Sequence, residues 1–167
     1  MALLAGDPSP GPLASDLGEP NTIVFDVEVA EQFSYGLVVL RNPATAVARI
    51  TGVELTGRAG SIELFDASVR SLRDAPGHGL VANDRAYPPT ALIGAVSPAI
   101  GARIAPYREP GDGVELVLGL RVLVAGSHGF SGVAVRYELD HVTHRALFPF
   151  ALSVCAPPSG RICDPAG

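Results

Sequence analysis

The sequence predicts an all-β fold, an antiparallel sandwich of two sheets. Three observations carry that expectation. Apolar residues alternate with polar ones or gather in short runs, Gly and Pro punctuate the chain (19 and 15 of 167 residues), and no segment holds a sustained helical period. The same composition excludes several classes. Twelve cations, all of them Arg, stand against seventeen acids, for a net charge of −5. A nucleic-acid binder needs clustered cations to displace phosphate counterions, so no nucleic-acid partner is expected. No run reaches the roughly 18 apolar residues of a membrane-spanning helix. An apolar content of 47% is too high for a wholly disordered chain, and the length suits one domain with one core.

Residues 1–20, with Pro8, Pro10, Pro12 and Pro20 among Gly6, Gly11 and Gly18, have the composition of a flexible leader. MALLAG at the start lacks the charged and apolar regions of a signal peptide as written, though the trimmed stub of one would look the same. A single sandwich is expected over 21–156. In 23–29, Phe25, Val27 and Val29 face one way while Asp26 and Glu28 face the other. The run 35–41 is nearly all apolar, as in a central strand, and ends at the turn signal Asn42-Pro43. In 47–56 the apolar parity changes at Gly52, where a bulge would restore the register. Gly57 and Gly60 bracket a turn, and 62–69 begins a further alternating strand.

Residues 74–113 hold six prolines and six glycines, which exclude helix over most of their length. A structureless loop of that length is rare in a compact domain, so short edge strands are expected around 91–96 and 100–105.

The C-terminal third reads most clearly. In 114–124, Val114, Leu116, Leu118, Leu120, Val122 and Val124 share one face, and Glu115 and Arg121 lie on the other. The string GSHGFSG (126–132) reads as a turn. Strands 133–139 and 142–154 flank Asp140-His141. A tight hairpin there pairs Leu139 with Val142, Tyr137 with His144, Val135 with Ala146 and Val133 with Phe148, which matches apolar with apolar. The opposite face then sets Arg136 against Arg145, which calls for splayed side chains or a diagonal reach from Glu138. Asp-His is a poor turn for positive φ, so a longer loop is an alternative.

Some seven to nine short strands with turns every 8–12 residues resemble an immunoglobulin-like sandwich. A jelly roll or partly open barrel is the alternative. The resemblance is architectural: the cysteines lack the spacing of an intersheet pair, Trp is absent, and no functional residue is carried over.

Candidate chemistry is sparse. Cys155 and Cys163 flank a turn-rich segment, and a disulfide between them would pin the tail 157–167, with about 2–3 kcal/mol of loop-closure stabilisation, in an oxidising compartment. His128, His141 and His144 are weak metal candidates, because positions three apart on a strand point to opposite faces. Ser127 or Ser131 with His128 and Asp140 would make a nucleophile set, but no G-x-S-x-G elbow exists. No phosphate loop or calcium loop is present in the sequence, and no cofactor is expected. The apolar, turn-rich stretch 85–107 offers Tyr87, Leu92, Ile93, Ile100 and Tyr107 as anchors for a protein partner. The sequence therefore points to a non-enzymatic module, secreted or envelope-anchored, that binds a protein or serves structurally. The alternatives are a metal protein or metal-dependent enzyme using these histidines, a subunit of a phage or cell-surface assembly, and a cytoplasmic location. The oligomeric state is open.

Overall fold

A computed structural model describes residues 8–15, 21–73, 83–89 and 96–157. They form an immunoglobulin-like β-sandwich of twelve strands, three of them only two or three residues long. One layer is a five-stranded sheet in the order β5-β2-β8-β4-β6: β5 (Asn83–Asp84), β2 (Gln32–Leu40), β8 (Val114–Val122), β4 (Ile62–Ser71) and β6 (Val96–Pro98). The opposing layer is split. A four-stranded sheet runs β11-β10-β3-β7: β11 (Val142–Phe148), β10 (Gly132–Leu139), β3 (Ala48–Thr56) and β7 (Arg103–Ile104). A three-stranded sheet runs β1-β12-β9: β1 (Asn21–Asp26), β12 (Phe150–Ala156) and β9 (Gly126–Phe130), with β1 parallel to β12.

The split arises inside one long hairpin. Its tip, β10–β11, has the register that apolar matching predicts, Val133↔Phe148 to Leu139↔Val142. Its base, β9–β12, belongs to the three-stranded sheet. Between them Ser131 and Pro149 interrupt the strands, and Pro149 has no N–H to give to a ladder. The glycines of GSHGFSG therefore build a strand rather than the expected turn. The chain instead turns at 123–125, so Leu123 and Val124, expected in a strand, are exposed. At the tip the turn is the tight one: Asp140 and His141 both take positive φ (49° and 65°), so the longer loop is not needed. The Arg136–Arg145 pair is resolved from the next strand rather than by Glu138. Glu54 of β3 holds Arg145 at 2.8 Å and lies 3.9 Å from Arg136, while Glu138 lies 3.7 Å from His141.

Two bulges keep apolar residues facing the core. At Gly52 the β3–β10 register shifts by one, so Ile50 and Ala48 turn inward. In β2 a shift between Tyr35 and Val38 lets Phe33, Tyr35, Val38 and Leu40 all point inward, at the expense of a positive φ (70°) at Leu37. Tyr35 crosses the core: its ring packs edge-on to Phe130 and its hydroxyl donates to the Ala151 carbonyl at 3.4 Å. Burial pushes its phenol up to about 12. Val29, expected inside, is exposed because β1 ends at Asp26 and the chain turns through Ala30 at positive φ. Asn42 fastens its turn through its side chain, donating to Ala46 and Ile104 carbonyls and accepting from the Ala44 N–H.

Residues 8–15, read as part of a free leader, lie docked on the sandwich. Leu13 is buried in the core, and Ala14 exchanges two backbone hydrogen bonds with Arg41. Apolar Leu13 gives this proline-rich segment something to bury, which the composition of the segment as a whole hides.

Candidate functional site

The segment expected to carry function, 74–113, is described in part. Its visible pieces do two things. Residues 84–89 lie over the outer face of the five-stranded sheet. Ser34 Oγ donates to the Ala86 carbonyl at 2.5 Å, and the Tyr87 ring sits edge-on to Phe65 with centroids 5.3 Å apart. Tyr87 also packs against Gly119, where a Cβ would come within 2.9 Å of its ring. Burial raises the Tyr87 phenol above its ordinary value. Residues 96–107 then cross between layers: β6 pairs with β4 of one sheet, β7 with β3 of the other. Of the short strands expected at 91–96 and 100–105, the second corresponds to β7, while residues 91–95 of the first lie outside the described residues and β6 begins at Val96.

That crossing displays two of the expected anchors. Ile100 is 59% exposed and Tyr107 41% exposed. Tyr107 is held in place. Its N–H donates to the Asn42 carbonyl at 2.6 Å, and the Arg41 guanidinium lies 4.9 Å from its ring centroid. The following loop is fastened by Asp112, which accepts the N–H groups of Arg108 (2.8 Å) and Glu109 (2.9 Å) and the Nε of Arg73 (2.6 Å). The Arg108 N–H first, then the Arg73 side chain and the Glu109 N–H, hold the Asp112 carboxyl below the usual carboxylate range. Tyr87 is not a free anchor, because its ring is half-buried in the cover it forms. Leu92 and Ile93 lie outside the described residues.

The histidines do not converge. His128 is buried with both ring nitrogens engaged by backbone: Nδ1 accepts the Ser61 N–H at 2.9 Å and Nε2 bonds the Val124 carbonyl at 2.8 Å. His141 sits fully exposed at the hairpin tip, and His144 packs its ring on Tyr137. The metal candidates are thus separate side chains with separate structural roles. Among the described residues no three His, Cys, Asp or Glu side chains gather as metal ligands would. The nucleophile set fails likewise. Asp140 stands at the far end of β10 from Ser131, and neighbouring Ser127 and His128 point to opposite faces of β9. Cys155 is buried and not a free thiol; Cys163 lies outside the described residues.

The parity rule missed one feature outright. Glu115 and Arg70 are cross-strand partners on β8 and β4, joined at 2.5 Å and both essentially inaccessible (0% and 1%). Glu115 also accepts the N–H of Leu37 at 3.3 Å, so the carboxylate supports the β2 bulge.

No family model matches the sequence, and no curated protein matches it. Among solved structures the chain is similar to the ASH/PapD-like domain 7 of human CEP192 (13% identity, TM-score 0.43, 95% of this chain and 94% of that one). It is similar also to the CooA pilin subunit of enterotoxigenic Escherichia coli (12%, 0.35, 87% and 97%). A third similarity is to the VesB protease of Vibrio cholerae (8%, 0.36), of which this chain spans 32%.

Proposed function

We propose that this sandwich is a non-enzymatic, extracytoplasmic module that binds a protein partner through the edge formed by residues 96–107. The observation that carries the reading is Tyr107, an exposed aromatic ring fixed by its backbone and by Arg41, on the same crossing segment as exposed Ile100. An aromatic anchor ordered before binding loses little entropy when a partner closes over it. The extracytoplasmic assignment rests on the cysteines. Cys155 is not free, and a bond to Cys163, the other cysteine of the chain, calls for an oxidising compartment. No helix among the described residues is long and apolar enough to cross a membrane.

The test compares wild type with Ile100→Asp/Tyr107→Ala, both immobilised and exposed to an extract of the native envelope and medium. The expected result is a protein retained by wild type, absent from the variant, with unchanged thermal unfolding. Identical retention by the two would end the reading. Intact mass should rise by about two daltons on reduction; an unchanged mass would remove the compartment assignment.

A further inference from the structure

Strand alternation gathers four arginines on the outer face of the four-stranded sheet, although the chain carries a net charge of −5. They are Arg49, Arg103, Arg136 and Arg145, with Glu54 and Glu138 between them. Glu54 holds Arg145 at 2.8 Å and lies 3.9 Å from Arg136. The other two arginines are placed differently. Arg103 of β7 stands directly opposite Arg49 of β3, and the residues beside them in each strand, Ile104, Ala48 and Ile50, enter the core. Both arginines are exposed, and among the described residues neither makes an ion pair or a side-chain hydrogen bond. Glu138, opposite Arg49 on β10, lies 3.7 Å from His141. Nearby arginines are engaged, Arg73 by Asp112 and Glu109 and Arg41 by the Tyr107 ring.

Like charges opposed across two strands are unfavourable, and an anion from outside would offset that cost. The pair borders a cleft of about 290 Å³, lined by Val47, Arg49 and Arg103 at the β3–β7 side and by Glu138, Asp140 and His141 at the tip of the β10–β11 hairpin. This arrangement narrows the kind of anion that fits. A long polyanion would run onto Glu138 and Asp140, so repulsion confines the incoming negative charge to the arginine side. The flanking surface is apolar: Val47 is 38% exposed, and Arg103 shares its crossing segment with exposed Ile100 and Tyr107. A planar guanidinium takes a carboxylate through paired hydrogen bonds. A polypeptide with an isolated acidic side chain among apolar ones meets all of these conditions; a phosphate chain or an acidic polysaccharide does not.

We propose that the partner docking at the 96–107 edge presents one acidic side chain, set among apolar residues, to the Arg49–Arg103 pair. The proposal rests on the edge reading above and adds the chemistry that selects the partner. Repulsion between the arginines is present in the free protein and relieved in the complex, which favours the complex and excludes partners that bring a cation to the same place.

The experiment is a chemical-shift titration of the full chain, followed at backbone amides and arginine Nε–H groups. The probes are a capped pentapeptide with glutamate between leucine and phenylalanine, the same peptide with glutamine in its place, and hexaglutamate. The glutamate peptide should bind about tenfold or more tightly than the glutamine peptide, the ratio expected of hydrogen bonds to a charged group. It should also bind more tightly than hexaglutamate, and Arg49→Gln/Arg103→Gln should abolish its advantage over the glutamine peptide. Because the two arginines oppose each other, that variant should unfold at the wild-type temperature or above it. Four results would each overturn the proposal: equal binding of the glutamate and glutamine peptides, tighter binding of hexaglutamate, no shift with the glutamate peptide at about 10 mM, or a lowered unfolding temperature in the arginine variant. Ile100→Ser/Tyr107→Ala separates this site from the edge reading. A glutamate preference that survives in that variant supports the arginine pair and removes the edge. Equal binding of the two peptides that is lost in that variant keeps the edge and removes the arginine pair.

Discussion

The outer faces of the two larger sheets are built from similar residues and end in opposite environments. On the four-stranded sheet, Glu54, Arg136 and Arg145 form an ion cluster whose side chains are between about a third and a half exposed. On the five-stranded sheet, Arg70 and Glu115 form the same kind of pair with essentially no exposure. The difference lies in exposure. The first face meets solvent, so alternation of apolar and polar residues reports inside and outside faithfully. The second is covered in part by residues 84–89, whose Ala86 carbonyl takes the Ser34 hydroxyl and whose Tyr87 ring lies against Gly119; Ser34, Val39, Glu115 and Val117 are buried although they point away from the core. Charge in a strand therefore marks the face away from the core, which is not always the face in water.

The sharpest way to break the comparison is to remove one carboxylate from each face. Glu115→Ala removes the carboxylate that meets buried Arg70 at 2.5 Å and unties the Leu37 N–H. The expected loss is about 3–5 kcal/mol in urea unfolding. Replacing both charges, as Arg70→Met/Glu115→Leu, should recover most of that loss, because well-packed apolar residues commonly substitute for a buried pair without penalty. If Glu115→Ala unfolds within about 1 kcal/mol of wild type, the second face is wet and the contrast is gone.

A smaller effect sharpens the role of the cover. Gly119→Ala puts a methyl group within 2.9–3.0 Å of the Tyr87 ring, so the ring must shift. Overpacking of this kind costs about 1–3 kcal/mol. In Tyr87→Ala the same substitution meets no ring, and the penalty should vanish. The measured coupling between the two positions tests whether residues 84–89 press on the sheet. Additive effects would detach the cover from the face beneath it.

These contrasts also explain what could be read from the chain. The hairpin 132–148 was legible residue by residue because its core face is continuously apolar and its turn fixes the pairing, and the Gly52 bulge was legible because the parity visibly changes there. The burial of Glu115 was not, since nothing local to β8 distinguishes a carboxylate held by Arg70 across the sheet from one that meets water. The docking of residues 8–15 was hidden for a related reason: one Leu among prolines is a weak signal, and the segment's partners are scattered along the chain at Arg41, Tyr137 and Arg145. Of the expected binding residues, Tyr107 and Ile100 are exposed. Tyr87 was spent on the cover, which its aromatic character alone cannot distinguish from an anchor. His128 was read as a possible ligand because sequence shows a ring but not that the Ser61 N–H and the Val124 carbonyl engage both its nitrogens.

The smallest effect tests the open face. Glu54→Ala removes the acceptor shared by Arg145 and Arg136, which are themselves cross-strand partners. Attraction is lost and two like charges are left opposed, yet all three side chains reach water, where both effects are weak. The expected loss is about 0.5–1 kcal/mol at low salt. It should shrink toward zero in 1 M salt, where the screening length is about 3 Å and the arginine repulsion fades with the attraction. Arg145→Ala in the same background should then restore part of the loss, because it removes the unopposed cation. A salt-independent loss comparable to that of Glu115→Ala would mean that Glu54 is shielded as Glu115 is, and that the two faces differ in residue type rather than in exposure.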